Sequence, residues 1–288
     1  MATCYRHPGR ETNVSCANCG RPICPDCMTS TPVGMRCPEC ARQRTQVKNP
    51  FGAATRTDAP ATYSLIALCV AAFVAEVASG AELFTGGVAG SVMIDGGVLG
   101  FGVTTTGPVG VAEGEIYRVV TGAFLHAGIL HLGLNMFILY LLGSILEPGI
   151  GTPRFIGVYA VSVLAGSFGA LLLDPLELTV GASGGVFGLM GATFLIARGR
   201  GLDHIASQIG FLVVINLVFT FSLSGISVGG HIGGLVGGGL AGLMIANLEQ
   251  RSVPNARALE FGAMIAICAI AVAGAMIAAE ESVPAGFG

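Results

Sequence analysis

A serine and a histidine set in apolar surroundings are the residues of this chain best suited to chemistry. Ser183 lies in Gly181-Ala182-Ser183-Gly184 and His231 in Gly230-His231-Ile232-Gly233-Gly234, each within a stretch apolar enough to span a bilayer. Burying an unpartnered polar group there costs about 2–7 kcal/mol, so such groups need partners or a wet cavity. A hydroxyl beside an imidazole is what nucleophilic acyl transfer requires: the ring takes the proton and the oxygen attacks. His131 and Asn135 are four apart and share one helix face. Both can donate hydrogen bonds to a developing oxyanion. His126 lies just before the same stretch.

Each residue also has a plainer reading. A serine at a helix start can serve as an N-cap. An intramembrane histidine can bridge helices, and glycines can serve packing alone. Gly181 to Gly185 also fits the nucleophile-elbow pattern G-x-S-x-G, but the strand–turn–helix sheet that pattern needs is absent. Gly234 and Gly238 form a G-x-x-x-G seam on the face of His231. Such a seam would bring the sixth span against the fourth and the imidazole near Ser183.

A second kind of chemistry sits at the N-terminus. Cys4-x2-His7, Cys16-x2-Cys19, Cys24-x2-Cys27 and Cys37-x2-Cys40 are four ligand pairs, enough for two tetrahedral zinc ions with no position left open to water. The sites are therefore expected to be structural, and metal would supply folding energy to a head too small for a robust core. The alternative is a disulfide framework, which a cytoplasmic placement disfavours. Cys69 and Cys268 remain as small apolar fillers within spans.

The composition says where these groups work. Of 288 residues, 52% are hydrophobic and 11% charged, against about 25% charged in soluble domains. A net charge of −3 points away from a nucleic-acid partner. Residues 1–45 read as a Cys-, Pro- and Arg-rich head, 46–60 as a polar linker and 61–282 as the membrane domain, and no secretory signal is expected, because residues 1–60 are polar and cysteine-rich. Seven spans are expected, at 62–79, 129–147, 153–173, 183–198, 205–223, 229–248 and 258–279. The segment 80–116 is too polar and glycine-rich to span and reads as a long loop with short interfacial helices. With the N-terminus inside, Arg154, Arg198, Arg200, Arg251 and Arg257 fall in inner loops and only Arg118 falls outside. That distribution predicts a cytoplasmic N-terminus and an outer C-terminus.

Seven motifs, in order, resemble those of rhomboid proteases over nearly all of 62–248. They are Tyr117-Arg118, Phe124-Leu125-His126, His131-x3-Asn135, Gly143-Ser144-x2-Glu147, Gly151-x2-Arg154-Phe155, Gly181-Ala182-Ser183-Gly184 and His231-x2-Gly234-x3-Gly238. The resemblance implies an all-α polytopic membrane fold: a rhomboid-like six-helix core, a seventh C-terminal transmembrane helix, and the small zinc-binding head. It implies an intramembrane serine endopeptidase with Ser183 as nucleophile, His231 as base, and the Ser183 N–H, His131 and Asn135 as oxyanion donors. Arg118 and Glu147 would be structural. The family's Trp-Arg is replaced by Tyr117-Arg118, and the aromatic that stacks on the catalytic histidine, often Tyr, is Phe187. No acidic third member is evident, so packing against Phe187 and the glycine seam would have to hold the imidazole. No cofactor is expected for catalysis.

The implied substrates are transmembrane proteins cut near their outer ends, in a bacterial plasma membrane. The head's spacing resembles B-box-type zinc fingers, which implies cross-braced pairing of the first with the third couple and the second with the fourth. A cytoplasmic protein partner is the role expected of it. Two rival readings are a rhomboid-like scaffold or chaperone without activity, which loss of Ser or His would mark, and a transporter, which would show repeated halves.

Overall fold

Runs of Leu, Val, Ile and Ala interrupted by glycine rather than charge fold as long helices, because a chain in hydrocarbon must satisfy its backbone within each segment. The computed structural model describes residues 2–31, 34–42, 58–84, 89–251 and 253–285. Contacts divide the chain into two units, Met1–Val47 and Lys48–Gly288. The expected linker lies outside the described residues except for 58–60.

In the first unit, β1 (Ala2–Thr3) pairs antiparallel with β2 (Glu11–Thr12), and β3 (Thr29–Thr31) with β4 (Gly34–Arg36). A short α1 (Pro38–Arg42) follows. Its buried apolar residues are Ile23 and six cysteines, so no aliphatic core of consequence holds it together.

The second unit starts with α2 (Pro60–Ala78), whose proline occupies the first turn, where no backbone N–H is needed. The long loop carries α3 (Ser91–Gly96), an antiparallel hairpin of β5 (Gly102–Thr104) and β6 (Gly107–Val109), and α4 (Arg118–Thr121). Interfacial helices were expected there, the hairpin was not. Then come α5 (Ile129–Ile150), α6 (Thr152–Leu173), α7 (Ser183–Gly199), α8 (Asp203–Ser222), α9 (Val228–Arg251) and α10 (Ala256–Glu281). The second unit has an all-α polytopic fold, and all seven expected spans are helices. Among the described residues, six (α2, α5, α6, α8, α9 and α10) are long and apolar enough to cross a membrane. The seventh, α7, has 17 residues and reaches only about 25 Å. It is walled by α5, α6, α8 and α9, so it meets protein rather than lipid and need not match the bilayer's thickness.

Glycine decides how closely α9 approaches its neighbours. A Cβ on Gly234 would lie 2.1 Å from the Gly184 carbonyl oxygen, and one on Gly238 2.3 Å from that of Gly188. A second row, unforeseen from sequence, faces α6: a Cβ on Gly229 or Gly233 would lie 2.0 Å from Gly169 O or 2.3 Å from Ala165 O. Backbone thus rests on backbone along both faces of α9.

Three buried charges tie the frame together. Both oxygens of Glu147, at the end of α5, accept from the first turn of α2: Ala61 N–H at 3.0 Å, Thr62 N–H at 2.8 Å and the Thr62 hydroxyl at 2.7 Å. The Thr152 hydroxyl adds a fourth bond at 2.8 Å. This carboxylate answers the orphan N–H groups and positive end of α2. Arg118, fully buried, donates to Glu115 at 2.7 Å and to the carbonyls of Ile94 (2.7 Å) and Gly97 (3.0 Å), pinning the long loop. Arg154 forks onto the buried Glu260 of α10, both bonds 2.7 Å, and also reaches Glu249 of α9.

Candidate active site and metal sites

Ser183 is the first residue of α7, and the N-cap is Ala182, with no side chain capping the helix. The serine is therefore not the N-cap that its position could have meant. The turn before it depends on Gly181, whose φ of +133° disfavours any side chain. That turn is held from two sides. Thr179 exchanges both backbone hydrogen bonds with Val98 at 2.8 Å, and Gly181 N–H donates to Gly122 O at 2.9 Å.

The residue before the serine has its own support. Ala182 N–H donates to His126 Nε2 at 3.4 Å, while His126 Nδ1 is 3.2 Å from the Phe124 carbonyl. That pairing puts the ring proton on Nδ1 and leaves Nε2 to accept. The His126 N–H in turn donates to both oxygens of Glu76, at 2.9 and 3.2 Å, and both residues are fully buried. The sequence alone assigns neither residue a role. A lone glutamate inside an apolar helix was the signal that could have drawn attention to Glu76.

Ser183, His231, His131, Asn135 and Phe187 all line one cavity of about 960 Å³. His131 Nδ1 accepts the Ala127 N–H at 3.3 Å, so its Nε2 carries the ring proton. That nitrogen flanks Gly181: a Cβ placed there would lie 2.9 Å from His131 Nε2 and 3.5 Å from Ser183 Oγ. Asn135 turns one amide N–H back to the His131 carbonyl at 3.0 Å, which leaves its second N–H for the cavity.

His231 is buried near the start of α9, and Phe187 stacks on it with centroids 4.2 Å apart and planes inclined 21°. Its Nδ1 lies 2.7 Å from the Thr220 hydroxyl of α8, a partner that no motif announced. Gly234 and Gly238 lie against α7 as described, so the seam does join the two helices that carry Ser183 and His231. Tyr117 is half exposed, its ring 5.9 Å from the Arg118 guanidinium and its hydroxyl 3.3 Å from Glu115. Burial works to raise the Glu115 carboxyl, but the Gly110 N–H and the Arg118 guanidinium outweigh it and hold the group below its ordinary range.

In the first unit the eight expected ligands gather as two sets that could each hold a metal ion. They are Cys4, His7, Cys24 and Cys27, and Cys16, Cys19, Cys37 and Cys40, with the ligand atoms of each set within 4.8 Å of one another. This is the cross-braced pairing of first with third and second with fourth couples. The sulfurs of Cys4 and Cys27, and of Cys19 and Cys37, stand 3.9 Å apart. A tetrahedron with metal–sulfur bonds of about 2.3 Å has edges near 3.8 Å, whereas a disulfide needs about 2.05 Å. His7 Nδ1 is 3.3 Å from Cys24 and 3.4 Å from Cys27. The Cys16 thiol is lowered to about 6, foremost by the Cys37 N–H that points at its sulfur, whereas burial pushes the Cys37 thiol up to about 12 and the Cys27 thiol up to about 11.

Residues 113–248 match the Rhomboid domain family. The chain is 38% identical over 131 residues to rhomboid protease GluP of Bacillus subtilis, which covers 44% of this chain and 26% of that protein. It is 36% identical over 154 residues to the putative rhomboid protease YdcA of the same organism, 51% of this chain and 77% of that one. Rhomboid-like protease 5 of Toxoplasma gondii is 38% identical over 136 residues, 45% of this chain and 16% of that protein. The chain thus spans about a quarter of GluP and three quarters of YdcA.

Proposed function

The chain belongs to the rhomboid family of intramembrane proteases, and on that premise we propose that it is a serine endopeptidase acting through a Ser183–His231 dyad. The observation that carries this reading is the shared cavity. Residues from α5, α7 and α9 that could supply nucleophile, base and oxyanion donors all line it. His231 takes the Ser183 proton as Oγ attacks a peptide carbonyl, forming a tetrahedral oxyanion. The Ser183 N–H at the helix start, His131 Nε2–H and the free N–H of Asn135 receive that charge. Collapse expels the new amine with a proton from His231, and water drawn from the cavity hydrolyses the acyl-enzyme.

The proposed substrates are transmembrane helices in the lipid bilayer, cut near the outer end. The arginine distribution supports an inner N-terminus and an outer C-terminus. The head is proposed to hold two structural zinc ions, one per ligand set, and to meet a cytoplasmic protein partner. The test is incubation of detergent-purified protein with a panel of tagged transmembrane substrates, wild type against Ser183→Ala. Cleavage by the wild type alone supports the reading. Equal cleavage by Ser183→Ala overturns the nucleophile, and no cleavage by either favours a scaffold.

A further inference from the structure

The tautomer of His231 is set from a neighbouring helix. Its Nδ1 lies 2.7 Å from Thr220 Oγ1, and that hydroxyl lies 2.7 Å from the carbonyl oxygen of Asn216, one turn back along α8. Thr220 is buried, so neither contact is shared with bulk water. A hydroxyl has one proton and two lone pairs. A carbonyl can only accept, so the proton must go to Asn216 O. Towards the imidazole, Oγ1 can then only accept, and Nδ1 must carry the hydrogen. The reverse arrangement would set two lone pairs against each other at 2.7 Å and leave Nδ1 bare.

We propose that Thr220 is a positioning residue for the reaction: it fixes His231 as the Nδ1–H tautomer and so leaves the Nε2 lone pair to take the Ser183 proton. This assignment rests on the dyad reading above. Phe187 and Thr220 divide the constraint between them. A stacked ring fixes the plane of the imidazole but leaves it free to turn within that plane, and a hydrogen bond at Nδ1 removes that freedom. When Nε2 gains the proton, the Nδ1–H bond becomes charge-assisted and strengthens, which favours the transition state over the resting site. The role that a carboxylate fills in a three-membered site falls here to a neutral hydroxyl whose own proton is held by a carbonyl.

The experiment compares Thr220→Val, which keeps the shape and removes the hydroxyl, with Thr220→Ser, which keeps the hydroxyl. Cleavage kinetics are read beside ¹⁵N spectra of histidine-labelled protein, with the His231 signals assigned by their loss in His231→Gln. Thr220→Val should lower kcat about 10- to 100-fold with KM within about twofold, and Thr220→Ser should restore kcat to within about threefold. The wild-type spectrum should show Nδ1 protonated and Nε2 bare, and Thr220→Val should lose that preference. An unchanged tautomer in Thr220→Val overturns the proposal, as does an equal loss of kcat in the valine and serine variants. The spectra are independent of proteolysis, so Ser183→Ala still cleaving would overturn the dyad and leave the tautomer result standing on its own.

Discussion

The carboxylate of Glu76 accepts the backbone N–H of His126 at 2.9 Å, in the same buried cluster where the His126 ring accepts the N–H of Ala182. Two hydrogen bonds therefore run from the end of α2 to the residue preceding Ser183. Leaving a buried donor without its partner costs about 1–3 kcal/mol. His126→Leu should lower turnover at least about tenfold while Ser183 remains present, and Glu76→Ala should lower the melting temperature in detergent. Wild-type turnover in His126→Leu would show that the Ala182 turn holds itself.

Asn135 has one amide N–H on its own helix and one to give. If that second N–H meets the oxyanion, Asn135→Ala should lower kcat by about 10²–10³-fold with little change in KM. A rise in KM alone would mark it as a wall of the cavity.

The seam between α7 and α9 makes a sharp contrast between two glycines. A Cβ at Gly238 would lie 2.3 Å from Gly188 O and 2.4 Å from its Cα, whereas one at Gly262 meets nothing within 4 Å. Gly238→Ala should destabilise by about 1–3 kcal/mol and lower activity. Gly262→Ala should leave activity intact and raise stability by up to about 1 kcal/mol. Thermal melts of the two variants in one detergent are the comparison, and equal melting temperatures would refute it.

Glu115 is held below its ordinary range when folded, so ionisation favours the folded loop. That contribution is whole above the unfolded carboxyl's pKa of about 4.3 and is lost as pH falls through the lower folded value. Acid melts should therefore show a loss of stability below about pH 4 that Glu115→Gln flattens. Identical acid limbs in the two proteins would remove Glu115 from the account.

The head, expressed as residues 1–45, should bind two zinc ions per chain and unfold when a strong chelator is added. A folded domain with one ion or none would defeat the eight-ligand reading. Chelation of the full-length protein should spare Ser183 chemistry, because no ligand belongs to both sites.

What could be read from the sequence was what repeats or is locally spaced. The four ligand couples, the His131–Asn135 face and the Gly234–Gly238 seam each declare themselves within a few residues. The helices follow from apolar length, with α7 shorter than expected of a span because its neighbours replace lipid. Thr220, Glu76 and Glu260 stayed hidden because each acts on a partner fixed only by tertiary packing. The hairpin β5–β6 lies in a loop judged by its polarity, although Gly107, at φ +134°, opens β6 directly after the two-residue turn Thr105-Thr106.

The glycine rows of α9 also make the alignment of the two key helices a matter of whole steps. Where backbone rests on backbone, no rotamer can absorb a small slip. A side chain in the place of Gly234, such as that of Leu235 next to it, would meet the Gly184 carbonyl, so the close approach belongs to glycine alone. The offset between Ser183 and His231 is thus set by main chain lying on main chain, with no side chain between the two helices at Gly234 and Gly238 to take up the difference. Variation in the protein would then fall to the loops and the outer helices, and leave this pair of helices unaltered.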